Sequence, residues 1–313
     1  MGKIAFVFPG QGAQSVGMGK DLHEADAAAR KIFETADEVL PFALTDLVFN
    51  GPEEELKQTY HTQPALLTAS IAALEKFREK GIEPDYYAGH SLGEYSALVA
   101  AGALRFEDAV RLVHLRGIYM NEAVPSGSGS MAAVLGADRE RLSALCQEIT
   151  NSGDLVELAN MNCPGQIVVS GSTAGVNKLL ERIKETGARR AVPLEVSGPF
   201  HSSLMKPAAE RLAQAMQDVE FFDVDKPVVS NVTARAVSDA ESFKRLLIEQ
   251  VDSPVLWEDS VRWMIEQGVD RFIEVGPGKV LSGLIRKIDR NVKVYAVYDI
   301  PTIESFDEEE FHA

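Results

Sequence analysis

Cysteine is nearly absent. The two that occur, Cys146 and Cys163, stand in unrelated contexts and form no CxxC. That excludes a disulfide framework and fits a reducing compartment, so a cytoplasmic protein is expected. Histidine is scarce too, at six residues, and none falls in an HExxH or similar ligand spacing, which argues against a metal enzyme. Positive charge is in deficit, with 31 Lys and Arg against 47 Asp and Glu and a net charge of −16. Such a chain is not expected to bind nucleic acid, and a polyanionic partner would need a local basic patch. Long hydrophobic runs are missing as well. No stretch approaches the roughly 18 apolar residues of a membrane span, so no membrane association is expected. The apolar run at 4–8 is too short for a signal-peptide core and stops at Pro9-Gly10.

What remains is an ordinary enzyme-like composition, 45% hydrophobic and 25% charged, in 313 residues. Part of the acidity is terminal. Asp299, Glu304, Asp307, Glu308, Glu309 and Glu310 have no Lys or Arg among them, and the tail after Pro301 is expected to be poorly ordered.

Residues 4–8 read as a buried parallel strand. Helical stretches follow at 25–40 and 64–80, a short strand at 86–89, and helices at 92–101 and 107–123. Alternation of strands and helices predicts an α/β fold with a mainly parallel sheet. The texture changes at Pro125-Ser126-Gly127-Ser128-Gly129-Ser130, a linker composition. Beyond it the order is strand 131–135, helix 138–150, strands 156–160 and 167–170, helix 173–186, and strand 190–194. This βαββαβ order is the split arrangement of ferredoxin-like units. A small subdomain over 128–196 is therefore expected within a discontinuous catalytic domain of 1–127 and 197–313. The large domain resumes with a helix at 203–218, strands at 228–231 and 271–275, and helices at 240–250 and 256–267.

The strongest chemical signal is Gly89-His90-Ser91-Leu92-Gly93, a G-x-S-x-G between a short strand and a helix rich in small residues. That context suits a nucleophile elbow, which turns sharply and presents the hydroxyl beside free helix N-terminal N–H groups. A serine nucleophile needs a base. His201, in the turn-rich segment Ser197–Ser202, is the best candidate. His23, His61 and His312 stand in polar contexts, His114 lies mid-helix, and His90 adjoins the serine and could shape its pocket. No Asp or Glu stands out as a triad acid. Arg116 interrupts the apolar seam of Ala109, Leu112, Val113 and Met120. It is either a snorkelling side chain or a guanidinium held in a pocket for a carboxylate. The loop Gly10–Ser15 has serine where a dinucleotide loop has its third glycine, and Gly276-Pro277-Gly278-Lys279 is not a Walker loop. Asn231-Val232-Thr233 is formally a glycosylation sequon, with nothing to suggest secretion.

Taken together, Phe8-Pro9-Gly10-Gln11-Gly12-Ala13-Gln14, Gly89–Glu94, Arg116 and Gly198-Pro199-Phe200-His201 resemble the malonyl-CoA:acyl carrier protein transacylases. Gln63-Pro64-Ala65, Asn160-Met161-Asn162, Pro164-Gly165-Gln166, Ser230–Thr233 and Glu274–Gly278 match as well, so the resemblance runs to about residue 300. It implies a hydrolase-like core with an inserted ferredoxin-like subdomain. Ser91 is then the nucleophile and His201 the base. A backbone carbonyl, at Gln250 here, orients the imidazole in place of a carboxylate. Gln11 and Leu92 would supply the oxyanion-hole N–H groups. Arg116 would bind the malonyl carboxylate, with Gln63, Asn162, His90 and Phe200 around the acyl group. The implied substrates are malonyl-CoA and the phosphopantetheine thiol of acyl carrier protein, with no metal or redox cofactor, in a monomer. Arg189, Arg190, Lys206, Arg286 and Lys287 are candidates for meeting the acidic carrier. A serine thioesterase or esterase, and a silent carrier-docking module, remain the alternatives.

Overall fold

The computed structural model describes residues 2–308 and 311; Glu309, Glu310 and His312 lie outside them. Along the described residues run strands β1 (Lys3–Phe8), β2 (Tyr86–Gly89), β3 (Gly129–Leu135), β4 (Val156–Cys163) and β5 (Gln166–Ser172). They are followed by β6 (Arg190–Pro193), β7 (Val228–Val229), β8 (Ala236–Val237), β9 (Val269–Val275) and β10 (Lys293–Val297). One sheet has the order β10-β9-β1-β2-β7-β8. Its pairs are parallel except β7 with β8.

The continuous apolar run of β1 is explained by burial on both faces. Ile4, Phe6 and Phe8 point to a core shared with helices Ala27–Val39 and Thr59–Phe77. Ala5 and Val7 point the other way, to Trp257, Val261, Leu281 and Ile285 of helices Trp257–Glu266 and Val280–Ile288. The two-residue period of a strand sends alternate side chains to opposite layers, so residues 4–8 of β1, covered on both faces, are all apolar.

The second sheet, ordered β4-β5-β3-β6, is antiparallel throughout. With helices Arg139–Asn151 and Thr173–Arg182 it makes the βαββαβ arrangement. Ala132 and Val134 pack on Leu142, Leu145, Val176 and Leu179. The opposite face, with Met131 and Val168, belongs to the main core instead. The face that its own helices leave uncovered therefore joins the main core, and β4 meets helices Trp257–Glu266 and Val280–Ile288. Side chains also bridge the units: Arg139 pairs with Asp259, and Glu157 accepts from the backbone and hydroxyl of Ser203.

Three expectations change. The long helix begins at Thr59 rather than at residue 64 and contains Pro64. Proline removes the donor that would reach the Tyr60 carbonyl, and His114 Nδ1 meets that carbonyl instead, at 2.8 Å. Helix Leu44–Asn50, helix Val280–Ile288 and strand β10 were not read from the sequence. Among its described residues the acidic tail is packed against the body of the protein. Helix Ile300–Glu304 opens on an Asp299–Thr302 capping box. Phe306 and Phe311 are then buried in a ring cluster with Phe77 and Tyr295. Two aromatic side chains outweigh a composition that otherwise favours disorder.

Candidate active site

The site forms where the parallel strands end. β1 runs into the loop that carries Gln11, β2 into Ser91, and β7 into Asn231, so three adjacent carboxyl ends converge. Ser91 stands at φ 51, left-handed for a residue with a Cβ. The turn is possible because its flanks are glycine. A Cβ on Gly89 would lie 1.9 Å from the Gly93 carbonyl carbon, and one on Gly93 would lie 2.1 Å from the Phe8 oxygen. Asn231 grips both sides of the turn: its Oδ1 accepts from the Ser91 N–H at 2.7 Å, and its Nδ2 donates to the Gly89 carbonyl at 2.7 Å.

Ser91 Oγ lies 2.7 Å from His201 Nε2, and His201 Nδ1 lies 2.9 Å from the Gln250 carbonyl oxygen. A carbonyl only accepts, so Nδ1 carries the proton and Nε2 is the bare acceptor. Arg116 Nη2 donates to Ser91 Oγ at 3.1 Å. Since a guanidinium cannot accept, the serine's own hydrogen is left for His201. Burial, and next the field of Arg116, pull the His201 imidazole down to about 3, so it is neutral around pH 7.

Arg116 is 1% exposed. It donates to Gln63 Oε1 at 2.7 Å and to Gln250 Oε1 at 3.0 Å, besides Ser91. No carboxylate is among these partners, and its Nε–H has none among the described residues. Burial lowers its pKa, partly offset by the fields of Tyr95 and Glu94. Of the two sequence readings, snorkelling fails on burial. A buried cation held by neutral groups with a donor to spare is ready for an anion.

The cavity beside Ser91 measures about 270 Å³. Gln11, Gln63, His90, Leu92, Arg116, Phe200 and His201 line it from the large unit, with Asn162, Met131 and Val168 from the antiparallel sheet. β4 changes register between Met161 and Cys163, and Asn162 at that irregularity bonds His90 Nε2 at 2.8 Å. Burial lowers the His90 pKa. The Gln11 and Leu92 N–H groups donate to no protein acceptor among the described residues. No group of three or more His, Cys, Asp or Glu that could hold a metal ion occurs there either.

Arg189, Arg190 and Lys287 line a neighbouring groove of about 390 Å³, which shares Gln166 with the cavity. Lys287 Nζ donates to Gln166 Oε1 at 3.3 Å. Arg286 is exposed and caps the Val294 carbonyl at 2.8 Å, and Lys206 is exposed at the start of helix Lys206–Ala215. Neither lines that groove.

Sequence reasoning missed Asn231 as a site residue, the buried Glu94, and the side-chain role of Gln250. A signal existed for Asn231, the last residue of the strand predicted at 228–231 and part of the Ser230–Thr233 match. Glu94 and Gln250 gave none, because their meeting depends on residues 156 positions apart.

Residues 5–304 match the model of the acyl transferase domain family. The malonyl CoA-acyl carrier protein transacylase of Bacillus subtilis is 58% identical over 304 residues, covering 97% of this chain and 96% of the relative. The Staphylococcus aureus protein of the same name is 48% identical, covering 98% and 99%. An acyl carrier protein S-malonyltransferase from Vibrio cholerae superposes with a TM-score of 0.94 at 46% identity, covering 97% and 99%. A malonyl-transacylase solved with a type II polyketide acyl carrier protein gives 0.93 at 44% identity, covering 97% and 98%.

Proposed function

Because the chain belongs to the acyl transferase family as a malonyl-CoA:acyl carrier protein transacylase, we propose that Ser91 carries the malonyl group between the two thiols. The protein transfers malonyl to acyl carrier protein for fatty-acid synthesis. The observation that carries the residue assignment is the single hydroxyl of Ser91, 2.7 Å from a neutral imidazole and 3.1 Å from a buried guanidinium.

Malonyl-CoA places its carboxylate on Arg116 and its thioester carbonyl at Ser91. His201 Nε2 takes the hydroxyl proton as Oγ attacks. Charge moves to the carbonyl oxygen, where the Gln11 and Leu92 N–H groups receive it, each donor contributing about 3–4 kcal/mol. The intermediate collapses, the acyl–oxygen bond stays, and CoA leaves with the proton from His201. The carrier's phosphopantetheine thiol then gives its proton to His201 and attacks the malonyl ester; the acyl–Oγ bond breaks and His201 returns the proton to Ser91 Oγ. The Gln250 carbonyl holds the imidazole in one tautomer throughout, the part that a carboxylate plays in a Ser-His-Asp triad. When the malonyl carboxylate sits on Arg116, the positive field on His201 weakens and the imidazole becomes a stronger base at the moment of attack.

Gln63, Asn162, His90 and Phe200 shape the acyl cavity in this reading, and Arg189, Arg190 and Lys287 face the carrier, with Lys206 and Arg286 farther out. Proton and acyl bookkeeping is complete without a cofactor. Action as a monomer is part of the same proposal. The boundaries near 127 and 196, and a cytoplasmic setting supported by two free buried cysteines, belong to the same proposal. A thioesterase has no use for a buried cation in its acyl pocket, so Arg116 favours transfer of a dicarboxylic acyl group. The test is mass spectrometry of the protein mixed with malonyl-CoA, then with carrier protein. A malonyl adduct on Ser91 that the carrier discharges is expected; an adduct elsewhere, or release to water at the same rate without carrier, refutes it.

A further inference from the structure

His201 has no carboxylate partner, yet a buried carboxylate lies behind it, one side chain removed. Glu94, 3% exposed, stands in the first turn of helix Gly93–Ala101. Its Oε2 accepts from Gln250 Nε2 at 2.7 Å and from the Asn231 backbone N–H at 3.1 Å. Among the described residues Gln250, like Ser91 itself, bonds both His201 and Arg116. Its carbonyl oxygen holds His201 Nδ1, and its Oε1 holds Arg116 Nη2 at 3.0 Å. Its Nε2 also reaches the Ser91 carbonyl at 3.0 Å.

We infer that Glu94 is a positioning residue for malonyl recognition, acting through the Gln250 carboxamide. A terminal amide can sit two ways round, and only one directs oxygen at the guanidinium. Glu94 takes the amide's N–H, and with the Ser91 carbonyl it leaves the NH₂ end no other place. Oε1 is thereby turned to Arg116. Donating its N–H polarises the amide and strengthens its acceptor end. By taking the Asn231 N–H on the same oxygen, Glu94 also ties the clamp on the nucleophile turn to the orientation of Arg116. The inference rests on the proposed role of Arg116.

The experiment compares kcat/KM for malonyl-CoA and acetyl-CoA, with carrier protein, in wild type, Glu94→Gln, Glu94→Asp, Gln250→Met and the Glu94→Asp/Gln250→Met double variant. Gln keeps an oxygen in place without the charge; Asp keeps the charge one methylene short. The malonyl-to-acetyl ratio should fall about tenfold in Glu94→Asp and in Gln250→Met, and stay within about threefold of wild type in Glu94→Gln. The double variant should be no worse in ratio than Gln250→Met alone. A loss common to both acyl groups, an aspartate better than the glutamine, or a double variant that multiplies the two losses overturns the inference. Should Glu94→Asp not fold, the other single variants decide: an unchanged ratio in Gln250→Met, or a tenfold loss in Glu94→Gln, is equally fatal. Failure of the underlying reading shows separately, as a wild type that carries no malonyl on Ser91, and it takes this inference with it.

Discussion

Replacing Arg116 by alanine separates the proposed carboxylate recognition from everything else the residue does. Of the five N–H donors of a guanidinium, three are engaged, with Gln63, Gln250 and Ser91. The Nε–H and one Nη1–H remain, on different edges of the guanidinium, so a carboxylate held at two points displaces one Nη2 partner. Hydrogen bonds between charged groups contribute about 1.5–3 kcal/mol each, so losing two predicts a fall in kcat/KM for malonyl-CoA of roughly 10²–10⁴-fold. Both kcat and KM should suffer, because the carboxylate end holds the thioester near Ser91. Acetyl-CoA shares only the other losses, namely the donor to Ser91 Oγ and the unpaired amide oxygens of Gln63 and Gln250. The malonyl-to-acetyl ratio therefore isolates the carboxylate contribution. Arg116→Lys keeps the charge without the planar fork and should recover part of it. The assay is steady-state transfer with each acyl-CoA, with folding checked by circular dichroism. If Arg116→Ala lowers both substrates by the same factor, the residue is structural and its role as the carboxylate ligand is refuted.

Ser91→Ala should abolish both malonyl labelling and transfer, read by mass spectrometry. Asn231→Ala removes both bonds that hold the Ser91 turn at φ 51; kcat should drop at least tenfold with KM for carrier protein nearly unchanged. Phe200→Ser should raise methylmalonyl use relative to malonyl, since Phe200 lines the acyl cavity; an unchanged ratio in folded protein removes that role. Reversing charge at Arg189, Arg190 or Lys287 should raise KM for carrier protein more than for malonyl-CoA, with the gap shrinking in high salt. His201 is held at about 3, below the ordinary 6.5, so the folded state resists its protonation. That stability is complete above about pH 6.5 and drains as pH falls toward 3. Glu94, raised to about 7, acts in the opposite direction, losing stability as pH rises from about 4.5 through 7. Urea midpoints from pH 4 to 8 should therefore fall less steeply on the acid side in His201→Gln than in wild type.

Strands and helices were legible where one physical pattern dominated. The apolar run of β1, the glycines around Ser91 and the seam through Ala109, Leu112 and Met120 depend on neighbours within a few positions, and local spacing records such constraints directly. Helix Val280–Ile288 and the packed tail were not legible. The tail's order comes from Phe306 and Phe311 meeting Phe77 and Tyr295, partners distant in the chain.

The same division runs through the site. By itself the sequence determined the turn at Ser91, because only small residues permit it. It also marked His201 and Arg116 as candidates, because a serine at such a turn needs a base and a guanidinium in an apolar seam is costly to bury without an anion. Only the tertiary structure decided which groups touch. It brought the Gln250 carbonyl to His201, set Glu94 behind the Gln250 amide, and placed Asn231 across the turn. Buried polar groups must find partners wherever the fold puts them, and these partners come from the ends of separate strands and helices. Their identity follows from the crossing of the chain in three dimensions, which no local spacing encodes.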